Sequence, residues 1–431
     1  MRRVLAPIAV AVLACLPIRA RAATEVHIKL SGQGGENRLP LGLPPFVAAD
    51  VAKGEEAVLA KQLRDAVRDD LLLSRYFTLL EDGPLFNGAN AKAIAADWKL
   101  KAASYLLTAK VAQSAGQLEA SVQLTDLNSG DVVLDRYYRQ DAKWLRAVAH
   151  RVSDDVVHQL TGKNGIARSL IAFANAQSGH KEIYVMDYDG NGVRALTHHD
   201  SISILPRFSP DRKSIAYTTY KEGNPDLFLL ELEKGTDRAI SRDQGLNVAG
   251  GFSPDGTELL MTLSRQKSPN LYLKNFTDGS VTQLTQHFGA DSSPTFSPDS
   301  QQVAFVSDRS GNPQIYVLDL TTRRAKRLTS LNWCDSPSWS PTGEWIAFAG
   351  RAHREDKPDI YLVDVTGGQI RQLTHGESAN ENPTWSPDGR FLAFSTTRGK
   401  RGEIYVMDAD GSAPHRLADI PGPSVTPDWS R

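Results

Sequence analysis

The sequence predicts a two-domain protein: a small N-terminal α+β domain followed by a six-bladed all-β propeller closed by the C-terminal strand. Three observations carry this. An aromatic-Ser-Pro-Asp tetrad opens at Phe208, Phe252 and Phe296, returns as Trp339-Ser340-Pro341-Thr342 and at Trp385, and stops at Trp429-Ser430, with aromatic spacings of 44, 44, 43, 46 and 44. The units are offset from the ends of the array: the first begins at Ser169–Phe173, a second strand, and the last leaves Val425–Ser430, a first strand with nothing after it. Residues 23–165 lack the repeat and show mixed helical and alternating patterns instead.

Length and composition fit this frame. A chain of 431 residues with 41% apolar and 23% charged residues is globular and long enough for two domains. A formal charge of -1 excludes a strongly basic nucleic-acid binder. Residues 1–22 read as a secretory signal: Arg2 and Arg3, the apolar run Val4–Ile18, then Ala20-Arg21-Ala22 for cleavage. Val12-Leu13-Ala14-Cys15 is a poor lipoprotein box that competes with this site. The apolar run is short for a bilayer, and no later one approaches 18 residues, so no transmembrane segment is expected. Removing the leader takes away four arginines and no acid, which brings the charge to -5. It also removes Cys15, so Cys334 is left without a disulfide partner and reads as a structural cysteine.

Residues 23–46 form an N-terminal arm. Glu25, Val26, His27 and Ile28 belong to a short strand, Ser31–Asn37 is a glycine-rich loop, and Arg38, Pro40 and Leu41 follow. Residues 47–165 form the α+β domain. Leu59, Leu63, Val67 and Leu71 share one helical face, and Leu145, Val148, Val152, Val156 and Leu160 share another that ends at Gly162. Tyr105–Val111 and Leu118–Thr125 alternate as half-buried strands, and Leu127–Gly130 turns the second into Val132–Tyr138. Residues 166–431 are the propeller. Each unit reads as four short strands at an apolar spacing of two, and in the turn after the first strand Pro fixes φ and Asp or Gly completes it. That spacing, with Pro inside every unit, excludes helical repeats. The last strand completes the first blade and removes an open sheet edge.

No catalytic residue is expected: G-x-S-x-G, HExxH and P-loop patterns are absent. No metal or other cofactor is expected either. Asp187, Asp189, Asn191 and Gly192 match half an EF-hand loop, but His198 stands where a bidentate Glu is needed. His199, His287 and His375 are too few for a histidine-rich metal face.

The N-terminal half carries a more specific signal. Asp70-Leu71 with Ser74–Phe77, then Trp144–Arg146, Ala149-His150, Ser153-Asp154, Leu160–Gly162 and Ile171–Phe173 in order, together with Pro44-Pro45-Phe46, resemble the TolB family of the bacterial Tol–Pal envelope system. The resemblance implies a periplasmic, non-catalytic and monomeric adaptor. It implies binding of the lipoprotein Pal at the propeller mouth and of TolA through the arm, with other outer-membrane proteins as further candidates. It also implies support of outer-membrane integrity and of invagination during cell division. The loops entering each first strand then supply the Pal-binding set Asp200, Ile202, Leu246, Asn247, Ala249, Asp291, Ser292, Asp335, Asn380 and Glu381. Glu25, Val26, His27, Ile28, Arg38, Pro40 and Leu41 supply the TolA-binding arm, which detaches and pairs through its backbone. Two departures stand out: Ser-Gly-Gln-Gly-Gly-Glu where the family places aspartates, and Leu39 between Arg38 and Pro40. From the residues alone, another periplasmic propeller adaptor and a metal-dependent polysaccharide lyase stay open.

Overall fold

A computed structural model describes residues 38–50, 54–266, 268–376, 378–399 and 401–431. The strand β1 (Leu39–Gly42) is followed by β2 (Val47–Ala48), α1 (Gly54–Leu73), β3 (Phe77–Leu80) and α2 (Ala91–Leu100). Then come β4 (Tyr105–Ser114), β5 (Gln117–Asp126), β6 (Val132–Asp141) and α3 (Leu145–Thr161). The sheet order is β3-β1-β4-β5-β6, with β2 also on β4. The predicted hairpin is there, β5 pairing antiparallel with β6. Both predicted helices form, and α3 ends at Gly162, whose φ of +70° is left-handed and whose amide returns to the His158 carbonyl.

Alternation decides which residues reach the core. Leu107, Ala109 and Val111 of β4 stand opposite Leu124, Val122 and Ala120 of β5, all buried, and α1 and α3 pack against each other over this domain. Leu106, one residue out of phase, turns to the other face and packs with Trp98 and Ile94 of α2. Among the described residues, no helix is long and apolar enough to cross a membrane.

The propeller comprises six four-stranded sheets among the described residues, each running from an innermost strand outward. The innermost strands are Ser203–Phe208, Asn247–Phe252, Asp291–Phe296, Trp333–Trp339 and Asn380–Trp385 in blades 2 to 6. Blade 1 takes its innermost strand, Ser424–Trp429, from the other end of the array. It pairs antiparallel with Leu170–Asn175, Trp429 opposite Ile171.

The repeated residues have identifiable work. Ser209 Oγ donates to Asp211 at 2.6 Å and accepts the Ser214 amide at 3.0 Å, which locks the turn. Ser253, Ser297 and Ser386 do the same with Asp255, Asp299 and Asp388. In the closing strand, Ser430 Oγ accepts the Leu170 amide at 2.8 Å, the same bond made across the seam. The Leu-Thr pairs close the other end of each blade: Thr197, Thr285, Thr329 and Thr374 accept the amides of Ile183, Leu271, Ile315 and Ile360 at 2.9–3.0 Å.

The aromatics pack between neighbouring blades. Phe208 of blade 2 meets Ala172, Ile183 and Val185 of blade 1, and Trp429 meets Phe391, Ala393, Ile404 and Val406 of blade 6. Ser430→Ala should therefore lower stability by about 1–3 kcal/mol, since the half-buried Leu170 amide loses its acceptor. Removing residues 424–431 should abolish the single cooperative transition. Denaturant unfolding of both variants checks this, and a truncated chain that unfolds like the intact one would refute closure as the source of stability.

Candidate functional site

The innermost strands line a channel. They enter at one rim and leave through the Ser-Pro-Asp turns at the other. Each strand shifts register midway, between Ile204 and Arg207, Ala249 and Phe252, Ser292 and Thr295, Asp335 and Ser338, Glu381 and Thr384, and Val425 and Asp428. Five of the bulges hold a non-glycine residue at left-handed φ: Leu205 at +54°, Ser293 and Ser336 at +52°, Asn382 at +54° and Thr426 at +53°. For leucine and β-branched threonine this is a strained conformation, held by the flanking ladder. A proline follows in each of these five. Blade 3 has Gly250 instead, where a Cβ would stand 2.6 Å from Pro294 of the next blade. Below the bulges lies a cavity of about 120 Å³ lined by residues including Arg207, Ser338, Thr384, Asp428 and Arg431.

The residues expected at the mouth divide into two groups. Asp200 and Ile202 are exposed, and Leu246, Ser292, Asp335 and Glu381 are half-buried along the rim and upper channel. Bonds across neighbouring blades tie this rim together. Asn382 Nδ2 donates to Ser336 Oγ at 3.0 Å, and Ser293 Oγ donates to Asp335 at 3.4 Å. Burial pushes the Asp335 carboxyl up from its usual range, and burial with the charge of Asp335 does the same to Glu381. Two such neighbours favour a ligand that brings hydrogen-bond donors or positive charge.

The other four are taken up by the blades. Asn247 is fully buried and donates to the Pro225, Asp243 and Gly245 carbonyls. Asp291 is fully buried and receives two bonds from Arg309, at 2.8 and 2.9 Å. Asn380, also buried, donates to Asp359 at 3.1 Å. Ala249 is 2% exposed and packs with Phe252, Leu259 and Met261. All four sit on the inward phase of their strands, which sequence patterning leaves indistinguishable from turn chemistry.

Glu25, Val26, His27 and Ile28 lie outside the described residues. Arg38 is exposed at the entry to β1. Pro40 and Leu41 are interior to the sheet: β1 runs parallel between β3 and β4, Pro40 accepts the Ser104 amide at 2.9 Å, and Leu41 is fully buried. Releasing them would split the sheet, so a detachable arm stops before Leu39.

The predicted histidines do not gather. They fall on alternate blade connections. His199 Nε2 meets Tyr217 and Asp237, and His287 Nδ1 accepts the Gly289 amide. The aspartates of the half EF-hand turn face the α+β domain: Asp189 is bound by Arg146, and Asp187 lies 3.5 Å from it.

That contact forms a second cluster which sequence reasoning did not assemble. Asp70 of α1, Arg146 and His150 of α3, and Asp187, Tyr188 and Asp189 of blade 1 converge. Nearby, Arg390 of blade 6 donates to the Ser74 carbonyl and stacks 3.9 Å over the Tyr76 ring. Asp154 accepts the Ala167 amide at 2.8 Å, and Gly165 is required because a Cβ there would stand 2.2 Å from that carboxylate. The available signal was the stripe His150, Ser153 and Asp154, polar residues at helical spacing on a buried face. All these contacts lie at the rim opposite the mouth.

Comparison with known proteins follows this division. Residues 157–431 match the family described as the TolB beta propeller domain, and residues 26–133 match the TolB amino-terminal domain. A protein TolB homolog of Chlorobium chlorochromatii is 35% identical over 212 residues, 47% of each chain. A Tol-Pal system protein TolB of Geobacter sulfurreducens is 34% identical over 190 residues, 43% of each. The chain spans about half the length of the curated relatives it matches. The crystal structure of TolB from Acinetobacter baumannii superposes with a TM-score of 0.79 at 27% identity, covering 93% of this chain and 98% of that one.

The two groups of mouth residues should respond differently to substitution. Ala249→Leu overfills a packed strand and should lower stability by about 1–3 kcal/mol. Ser292→Leu, half-buried in the channel, should stay within about 0.5 kcal/mol of the parent. Denaturant unfolding distinguishes them, and an Ala249→Leu chain as stable as the parent would contradict the assignment.

Proposed function

The chain belongs to the TolB family, and on that premise we propose that it works in the periplasm as a non-catalytic adaptor of the Tol–Pal system. In this reading Pal docks at the propeller mouth and TolA takes the N-terminal arm. The adaptor then supports outer-membrane integrity and invagination during division. The observation that carries it is the asymmetry of the ring. One rim is occupied by the α+β domain through Arg390, Asp187 and Asp189. The other is open and presents Ile202, Leu246 and Phe288, the last 85% exposed, above the carboxyls of Asp335 and Glu381. Apolar anchors beside a polar, donor-seeking channel suit a folded protein partner.

The arm reading narrows to residues 23–38, because β1 is committed to the sheet. A segment that pairs with a partner through its backbone then leaves the fold intact. Calorimetric titration tests both halves. Ile202→Asp should weaken binding to the soluble domain of Pal at least about tenfold, as loss of an interface anchor does, with unchanged melting temperature. Deleting residues 23–37 should remove TolA binding and leave Pal binding intact. Normal Pal affinity in Ile202→Asp would move the site off this rim, and retained TolA binding in the deletion would exclude the arm.

A further inference from the structure

The contact between the α+β domain and blade 1 contains an imidazole placed between carboxylates of both. His150 is 5% exposed. Its Nδ1 lies 2.9 Å from Asp70 of α1, within its own domain. Its Nε2 lies 3.7 Å from Asp187 of blade 1, ion-pair range but too long for a hydrogen bond.

The other groups around the ring are already engaged. Arg146 of α3 holds Asp189. Tyr188 of blade 1 donates to Asp70 at 3.0 Å, and its ring meets the imidazole edge-on at 5.9 Å. Asp154 of α3 is bound by the Ala167 amide and Arg168. Arg75, beyond α1, pairs with Asp408 of blade 6 at 3.8 Å. A neutral imidazole has one N–H, and only the doubly protonated ring offers a donor to Asp70 and to Asp187 together.

We propose that His150 is a proton-operated latch between the two domains: the imidazolium joins Asp70 to Asp187, and losing its proton leaves a buried carboxylate uncompensated and loosens the α+β domain from blade 1. The proton departs from Nε2 on the side of Asp187, which is partly open to solvent. The direction with pH follows from the charges. Burial opposes the imidazolium, but the nearby carboxylates of Asp187 and Asp70 outweigh it and push His150 up to about 9. A raised value stabilises the docked state fully below about 6.5, and that contribution is lost as pH rises through about 9. Asp70, raised by burial, adds in the same direction. Burial raises Asp187 too, but His150 and Arg146 outweigh it and hold it below the usual range, so it weakens docking only in acid.

Two measurements on the full chain test the latch. Imidazole NMR of the parent should place the His150 midpoint near 9, and Asp187→Asn should lower it by about one pH unit or more, as removal of a close opposite charge does. Opening of the interface is read by thiol labelling in a Ser74→Cys variant, since Ser74 is 8% exposed at this contact. Rates are divided by those of a model thiol, and peptide mass spectrometry separates this site from Cys334, which is sealed in the propeller core and reports global opening. Normalised labelling should rise about 100-fold between pH 6.5 and 9.5 while Cys334 stays protected, and Asp187→Asn should flatten that rise. A His150 midpoint near 6.5, or labelling that does not change with pH, overturns the latch. Should Ser74→Cys fail to fold, the midpoints of the parent and of Asp187→Asn decide.

Discussion

The Leu170 amide is bonded to Ser430, 260 residues further along the chain, and the closed ring depends on this seam. Five blades are continuous in sequence. The sixth is assembled from Ser424–Trp429 and Leu170–Asn175, with Trp429 wedged between blades 6 and 1 and its indole N–H on Ser169 at 2.8 Å. Once closed, the ring presents no free inner edge at this point, and the channel takes its width from six strands of equal phase. The α+β domain depends on the same seam. Its contacts fall on blade 1, at Asp187–Asp189, and on blade 6, at Arg390 and Asp408. Domain docking and ring closure thus share two blades.

The two rims are chemically unlike. At the docked rim the charges are matched within the protein: Arg146 with Asp189, Arg168 with Asp154, His150 with Asp70. At the open rim Asp335 and Glu381 keep carboxyls pushed up by burial, beside apolar side chains in water. A surface whose carboxyls carry no ion pair among the described residues, Asp335 being held by hydrogen bonds alone, is better suited to be completed by a partner than one already balanced.

Much of the architecture was legible because its residues act locally. A Ser-Pro-Asp turn closes within five residues, and a Leu-Thr pair reaches fourteen, so period and turn chemistry suffice to place the blades. The offset of Ser169–Phe173 against Val425–Ser430 was enough to predict the closing strand. The long helices showed by apolar spacing, whereas α2 and β1 are short, and the parallel pairing of β1 with β3 and β4 leaves no local mark. Pro40, which argues against a central strand, concealed that Leu39–Gly42 lies inside the sheet. At the mouth, phase located the loops but did not separate Ile202 from Asn380: strand-entry Asn and Asp look alike whether they meet water or Asp359. The cluster around His150 was out of reach, because α1, α3 and the blade 1 turn meet only after both domains have formed.

The divided first blade also has a temporal consequence. A chain that emerges from its N-terminus has Leu170–Asn175 available long before Ser424–Trp429 exists to cover it. During that interval blade 1 has only its outer neighbours, and Ile171, Phe173 and the face of blade 6 that later receives Trp429 stand unprotected. Closure of the native ring therefore waits for Ser424–Trp429, through contacts at high sequence separation. Until then the nascent protein carries an exposed strand edge of the kind that recruits neighbouring chains or holding chaperones. The device that makes the closed ring seamless leaves the growing one open for as long as Ser424–Trp429 is missing.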